Sequence, residues 1–337
     1  MKACMMSAPR DAQIVSLDPE KLLAPPPGWI TVEVAFCGVC GTDLHIYSGD
    51  YLGGYPVVPG HEFSGTVVAC GEGSEKFKRG DRVAVEPNLS CGVCEACLHN
   101  RQHFCSQWQA IGVTLSGAMA THVQVPQSAA FSIGDLSLQA AAWMEPLSCV
   151  LHGVERLGAV LGRRLLLIGA GPIGMLLYRT LRAAGASCID VVERNTYRAS
   201  FALDHGIPQV FNDLLEVKRT DYDIVVDATG NVKVLELILG YLRPAGTALF
   251  FGVPAQHDKM AIKPFSIFRN ELTIIGSYTS LRNSQQAISL MANGNIITDD
   301  LVTHLVPLDE LPSIFEYLNS AGSQAMKVMI DSNQIRS

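Results

Sequence analysis

Four cysteines, Cys91, Cys94, Cys97 and Cys105, follow the pattern CxxCxxCx7C between Pro87 and Trp108. Thiolates at such spacing can close a tetrahedron around one zinc ion and leave no open position, which makes the site structural; an iron–sulfur cluster is the rival metal centre. Four reactive thiols exposed together without a metal would be an oxidation hazard. A second set is scattered along the chain: Cys40 in GVCGTDLH, His61 and Glu62 in VPGHEFSG, and Glu145 in WMEPLSC. A catalytic zinc needs a few protein ligands and one exchangeable position, and Cys, His and Glu all supply donors. A lone buried Cys or His is more often ordinary core. Glycines beside Cys40 and His61, which permit tight backbone turns, shift the balance towards ligation.

A third motif points to a nucleotide. Gly169, Ala170, Gly171, Pro172, Ile173 and Gly174 spell GxGxxG directly after LLLI and directly before a helical stretch. The first glycine permits the turn, the second lets backbone approach a pyrophosphate, and the third allows close helix-to-strand packing; the helix N-terminus attracts phosphate charge. Glu193 ends the next strand near the ~20-residue offset of an acid that hydrogen-bonds a ribose. A carboxylate there repels a 2'-phosphate and favours NAD. Arg194 and the cofactor-side Arg198 could receive that phosphate, so NADP stays open.

These residues need elements to hold them. The first third carries short runs rich in Val, Thr and Phe (WITVEVAFCGVCG, FSGTVVACGEG, DRVAVEP) separated by glycine and proline, and reads as an all-β region. From about Leu161 apolar strand cores alternate with helical stretches (RRLLLIGAG, PIGMLLYRTLRAAG, SCIDVVE, YDIVVDATG, TALFFGV), which implies a doubly wound parallel sheet. After Ser280 a helical segment leads into THLVPL and MKVMID, two short strands that could return to the first region. The fold class is therefore α/β with two domains: 1–140 completed by 286–337, and 141–285. A chain of 337 residues, 48% hydrophobic, suits two cores, since single cores stop growing near ~250 to 300 residues. Ligands favour the cleft between such domains.

A net charge of -7 and a pI near 5.7 leave no basic excess for phosphate backbones or anionic membranes, so neither nucleic acid nor membrane is expected as a partner. The opening MKACMMSAPRDAQ lacks the apolar core of a secretory signal, and the apolar stretch Leu165 to Tyr178 is broken by glycines and Pro172. Ten cysteines without an export signal argue for free thiols in a reducing compartment, hence a cytoplasmic protein.

The segments GVCGTDLH, PGHEFSGTVVACGEG, the four-cysteine loop, EPLS, GAGPIG and DATG occur in one order that resembles the zinc-containing medium-chain alcohol dehydrogenases, from roughly Val32 to Val328. The resemblance implies a GroES-like β-rich catalytic domain plus a Rossmann domain, a homodimer or homotetramer, and two zinc ions per chain. It makes Cys40, His61 and Glu62 ligands of a catalytic zinc, with Glu145 as a fourth ligand or a partner of zinc-bound water. Thr42 receives the substrate proton, His45 passes it towards solvent, and Thr229 and Val253 join the cofactor contacts. Glu145 stands where ethanol-type enzymes carry a zinc-bound cysteine and sorbitol dehydrogenase carries glutamate, so the resemblance favours polyols: hydride passes from a secondary alcohol to NAD, giving a ketose. A threonine 3-dehydrogenase, which GTDLHIY resembles, and a sugar-acid dehydrogenase are the near alternatives. A metal-free quinone reductase or structural relative is the alternative of another class. Tyr47, Arg282 and Asn283 are candidate contacts to substrate hydroxyls.

Overall fold

The computed structural model describes residues 1–50, 54–320 and 323–332. The chain divides into two compact units, Met1–Ser148 with Ser280–Ser337, and Cys149–Thr279. These bounds fall after residue 140 and before residue 285, where the sequence suggested the breaks. The first lies within the Met144–Leu157 helix. Pro146 sits in the first turn of that helix, where its missing N–H costs nothing, so the helix runs on unbroken from the first unit into the second.

The first unit is built on a seven-stranded sheet. Its order is Val302–Val306, Lys327–Asp331, Trp29–Gly38, Glu62–Cys70, Arg82–Val85 and Ala130–Ser132, with His122–Pro126 also paired to Trp29–Gly38. Trp29–Gly38 is antiparallel to each strand it meets. Alternation fixes its faces: Ile30, Val32 and Val34 enter a core with Phe63, Val67, Val83, Val123, Val125 and Ile330. Both strands that follow residue 300 therefore join the sheet of the first third of the chain. Two short strands, Asn88–Leu89 and Gln109–Ala110, pair antiparallel and bracket the four-cysteine loop.

The second unit holds a six-stranded parallel sheet in the order Val210–Phe211, Cys188–Val192, Arg164–Ile168, Tyr222–Asp227, Leu242–Phe250, Thr273–Gly276. Leu165, Leu166 and Leu167 are all fully buried, as expected of a central strand covered on both faces. The order reverses at Arg164–Ile168, and ligands bind at the carboxyl ends of strands beside such a switch point. Among the described residues no helix is long and apolar enough to cross a membrane.

Candidate metal centres and nucleotide cavity

The loop between the two short strands folds its cysteines inward. Cys94 Sγ lies 3.5 Å from Cys97 Sγ and 3.9 Å from Cys105 Sγ, and Cys91 Sγ lies 4.0 Å from Cys97 Sγ. Sulfurs each about 2.3 Å from a central zinc sit about 3.8 Å apart at tetrahedral angles, so the spacing fits one ion. Backbone amides point at the sulfurs: Cys94 N–H donates to Cys91 Sγ, and both Cys91 N–H and Gln107 N–H donate to Cys105 Sγ, each at 3.3 Å. Hydrogen bonds from the backbone at Cys97 and Ser106 hold the Cys94 thiol down to about 6, and those at Val93 and Cys94 lower Cys91 as well. Burial, then the bond to Cys94, pushes Cys97 up to about 11, a cost of charging a buried thiol that a metal would relieve.

Cys40, His61 and Glu62 also come together, each offering a ligand atom within 4.8 Å of the others. Cys40 is the N-cap of the Gly41–Ser48 helix, and its backbone N–H is held at 2.8 Å by the Asp43 carboxylate three residues on. His61 follows Gly60, whose φ of +97 favours glycine and whose Cβ would lie 2.8 Å from Cys37 Sγ and 2.7 Å from the Met119 amide nitrogen. At Cys40 the neighbouring glycine has another purpose. Gly38 has no positive φ; a Cβ there would strike the Glu62 carboxylate and come within 2.8 Å of Lys327 Cε. It supplies space, not a turn.

Asp43 Oδ1 accepts from Gly60 N–H at 3.2 Å and lies 3.5 Å from His61 Nδ1, long for a hydrogen bond but close for a charge. A proton on Nδ1 facing this carboxylate leaves Nε2 as the metal donor. Burial disfavours a charged His61, yet the Asp43 and Cys40 charges outweigh it and lift the imidazole well above its usual value. The pocket is thus electronegative and fits a cation. Glu62 is 1% exposed and its carboxylate is bonded by the buried ammonium of Lys327. Glu145, in the first turn of the Met144–Leu157 helix and half-buried, lies outside this mutually close set, an arrangement compatible with its expected part as a partner of zinc-bound water. Three ligands leave a corner open, which a reactive zinc requires and a structural one does not.

Thr42 and His45 lie three residues apart in the Gly41–Ser48 helix, a spacing that puts both on one face. Thr42 is half-buried and His45 exposed. The three suggested substrate contacts each have a partner within the chain. Tyr47 is buried and stacks on Phe315 with ring centroids 5.2 Å apart; buried Asn283 accepts from Leu281 N–H at 3.2 Å; Arg282 pairs with the Gln102 side chain.

In the second unit a cavity of about 540 Å³ is lined by Gly169, Gly171, Pro172, Ile173, Gly174, Glu193, Arg198 and Thr229. Gly169 turns at φ +101, Gly171 caps the Pro172–Ala183 helix, and a Cβ on Gly174 would run into the Gly169 backbone. Glu193 is anchored by Ala170 N–H and Asn195 N–H, each at 2.8 Å. Thr229 is fixed through Asp227, whose carboxylate accepts from its hydroxyl at 2.6 Å. Arg198 stands over the glycine turn, Nη1 3.7 Å from where a Cβ on Gly171 would be. Its buried Nε has no hydrogen-bond partner among the described residues. Val253 is 64% exposed, is not among the residues lining this cavity, and meets Gly230, the neighbour of Thr229, through its backbone.

Residues 26–135 match the family profile of the alcohol dehydrogenase GroES-like domain, and residues 172–293 that of the zinc-binding dehydrogenases. The D-altritol 5-dehydrogenase of Agrobacterium fabrum is 38% identical over 299 residues, covering 86% of this chain and 88% of that protein. The chain belongs to the zinc-containing medium-chain alcohol dehydrogenases. A D-arabinitol dehydrogenase of Uromyces fabae is 31% identical across 99% of this chain and 97% of its own length. A structure from Sinorhizobium meliloti 1021, assigned as a zinc-binding dehydrogenase and solved with NADP, superposes with a TM-score of 0.92 at 30% identity over 98% of each chain.

Membership in this dehydrogenase family fits the two assembled ligand sets, which a metal-free relative has no need of. Two residues that pack against this cluster had not been singled out in the sequence. Asp43 was legible as the third residue of a helix whose cap is Cys40, a capping-box spacing. Lys327, distant by 265 positions from Glu62, carried no local signal at all.

Proposed function

We propose that this chain is a zinc-dependent oxidoreductase that transfers a hydride from a secondary alcohol of a polyol to NAD, giving a ketose. The observation that carries the reading is the convergence of Cys40, His61 and Glu62 on one pocket with an open corner. The names of the relatives, altritol and arabinitol dehydrogenases, support the substrate class. Cys91, Cys94, Cys97 and Cys105 would hold a second, structural zinc. When bound between Cys40, His61 and Glu62, zinc supplies the Lewis acidity that makes an alcohol hydroxyl easier to deprotonate.

The chain's own residues do the rest. Thr42 accepts the hydroxyl proton and His45, exposed one helical turn further, carries it to solvent. Asp43 orients the His61 ring. Glu145, outside the cluster, would act beyond the ligands, on a solvent molecule. Gly169, Gly171 and Gly174 seat the dinucleotide, and Glu193 meets its ribose. Arg194 and Arg198 line the same cavity and would admit a 2'-phosphate, so NADP is the second cofactor. A homo-oligomer suits the side-by-side Phe265 and Phe268, 72% and 78% exposed. Ten unpaired thiols suit a reducing, cytoplasmic setting.

The test is a panel of pentitols, hexitols, threonine, sugar acids and simple alcohols, each with NAD and NADP, on protein of measured zinc content. Polyol-dependent reduction of NAD with two zinc ions per chain is expected. Activity confined to threonine or a sugar acid would sink the polyol assignment, and zinc-independent activity the mechanism.

A further inference from the structure

A buried ammonium with no part in the chemistry above stands at the edge of the reactive cluster. Lys327 is 4% exposed, and among the described residues no other lysine or arginine is buried to that degree. It is delivered by the Lys327–Asp331 strand, whose Met329 lies opposite Gly38 and whose Val328 carbonyl accepts from Val39 N–H at 3.0 Å, so it enters beside Cys40. Nζ donates to Glu62 Oε2 and lies 5.2 Å from the centre of the Trp143 ring, itself fully buried. Three strands cooperate in this: Gly38 is paired with Glu62 on one side and Met329 on the other, and its missing side chain is the space the ion pair fills.

Removing an ammonium from water is costly unless charge meets it there. Here the charges that meet it are those that would meet the metal: Glu62 foremost, then Cys40 and Asp43. A carboxylate has two oxygens, and one of them is taken. An ammonium bonded to Oε2 also draws electron density from the whole group, so Glu62 donates less to a cation on its other side.

We propose that Lys327 is a positioning residue of the reactive metal centre, restricting Glu62 to one-oxygen coordination and weakening its hold on the ion. This rests on the reading of Cys40, His61 and Glu62 as that centre. The ion is thereby left more electrophilic than a thiolate and an unrestrained carboxylate would make it. The nearest rival is a purely structural ion pair that staples three strands together and has no effect on the metal.

The experiment uses the full-length holoenzyme with cobalt exchanged into the reactive centre, and compares wild type with K327Q, K327M and K327R. Lys327→Gln keeps a hydrogen-bond donor and removes the charge. It should slow chelator-driven cobalt release by roughly tenfold, the worth of a charged hydrogen bond. It should also shift the visible cobalt bands and lower kcat more than it alters KM. Lys327→Arg should restore the wild-type bands and release rate. Circular dichroism and retention of the ion at Cys91, Cys94, Cys97 and Cys105 confirm folding, and K327M carries the test should K327Q fold poorly. Unchanged bands and release, or faster release, overturn the inference. A wild-type chain that takes up only the four-cysteine ion overturns the reading of the reactive centre and this inference with it, and the wild-type metal count tells that failure from the other.

Discussion

Gly38→Ala tests the packing that underlies the reactive centre with a single methyl group. The backbone at Gly38 is not in the left-handed region, so alanine meets no conformational strain there. The cost is steric. The new Cβ would lie 2.8 Å from Lys327 Cε, where carbon contacts settle at about 3.5–4.0 Å, and would also overlap the Glu62 carboxylate. Both obstacles are side-chain ends, but with side-chain exposures of 4% and 2% neither has open space to retreat into. Overpacking a core costs about 1–3 kcal/mol, and parting a buried ion pair about 3–5 kcal/mol. The two overlap because they fall on the same groups, and a smaller unfolded-state entropy returns about 0.4–1 kcal/mol. A net loss of about 3 kcal/mol follows. At about 2–4 °C per kcal/mol for a unit of this size, the melting temperature should fall by about 6–12 °C. Glu62 should also leave the cluster, taking the reactive ion with it and sparing the four-cysteine ion. Differential scanning calorimetry with metal analysis reads both effects. A melting temperature within a degree of wild type, together with two ions per chain, would refute the reasoning.

Two further outcomes follow from other parts of the molecule. Arg198→Ala removes the guanidinium over the glycine turn and should raise KM for NAD roughly tenfold, and KM for NADP more, since charge-assisted bonds are the strong ones; steady-state kinetics with both cofactors checks this, and equal, unchanged values would count against the assigned cofactor site. Burial, and then the Asp43 charge, pushes the Cys4 thiol up to about 12 from 9.0. The native state therefore holds a proton that the unfolded chain releases, so stability should fall as pH rises from about 9 to about 12, by up to about 1.4 kcal/mol per pH unit from this group. Urea unfolding of Cys4→Ala across that range should show a shallower pH slope than wild type; an equal slope would mean the thiol titrates normally.

Much of the site was legible because its signals are local. The four cysteines lie within one loop, and GxGxxG carries its own strand, turn and helix, so spacing alone placed these residues together. Cys40, His61 and Glu62 were harder, since no single one distinguishes a ligand from core, and the resemblance to a family supplied the grouping. What the sequence hid is what depends on pairing between distant strands. Gly38 resembles a turn glycine until the sheet register sets it between Glu62 and the last strand. Val253 had no local signal of its own, and what the fold adds is the close approach of its backbone to Gly230. Tyr47 and Asn283 have polar atoms that suggested substrate; the fold buries both, Tyr47 against Phe315 and Asn283 among hydrogen bonds to Leu281 and Gln286, partners that no local pattern announces. The division of the chain falls inside the Met144–Leu157 helix, a few residues beyond 140, because one continuous helix serves both units and no composition change marks the point inside it.

The sheet that carries the reactive centre takes strands from both sides of the second unit in chain order: Trp29–Gly38 and Glu62–Cys70 precede it, and Val302–Val306 and Lys327–Asp331 follow it. On a translating ribosome, the Glu62 carboxylate is therefore made long before the ammonium that neutralises it. Until Lys327 emerges, the N-terminal strands present an unpaired edge at Phe36–Gly38 and an uncompensated acid beside it, while residues 149–279 already have every strand of their own parallel sheet. The reactive centre is consequently among the last parts of the nascent chain to mature, and metal loading there should be a late event of biosynthesis, after the nucleotide unit has formed.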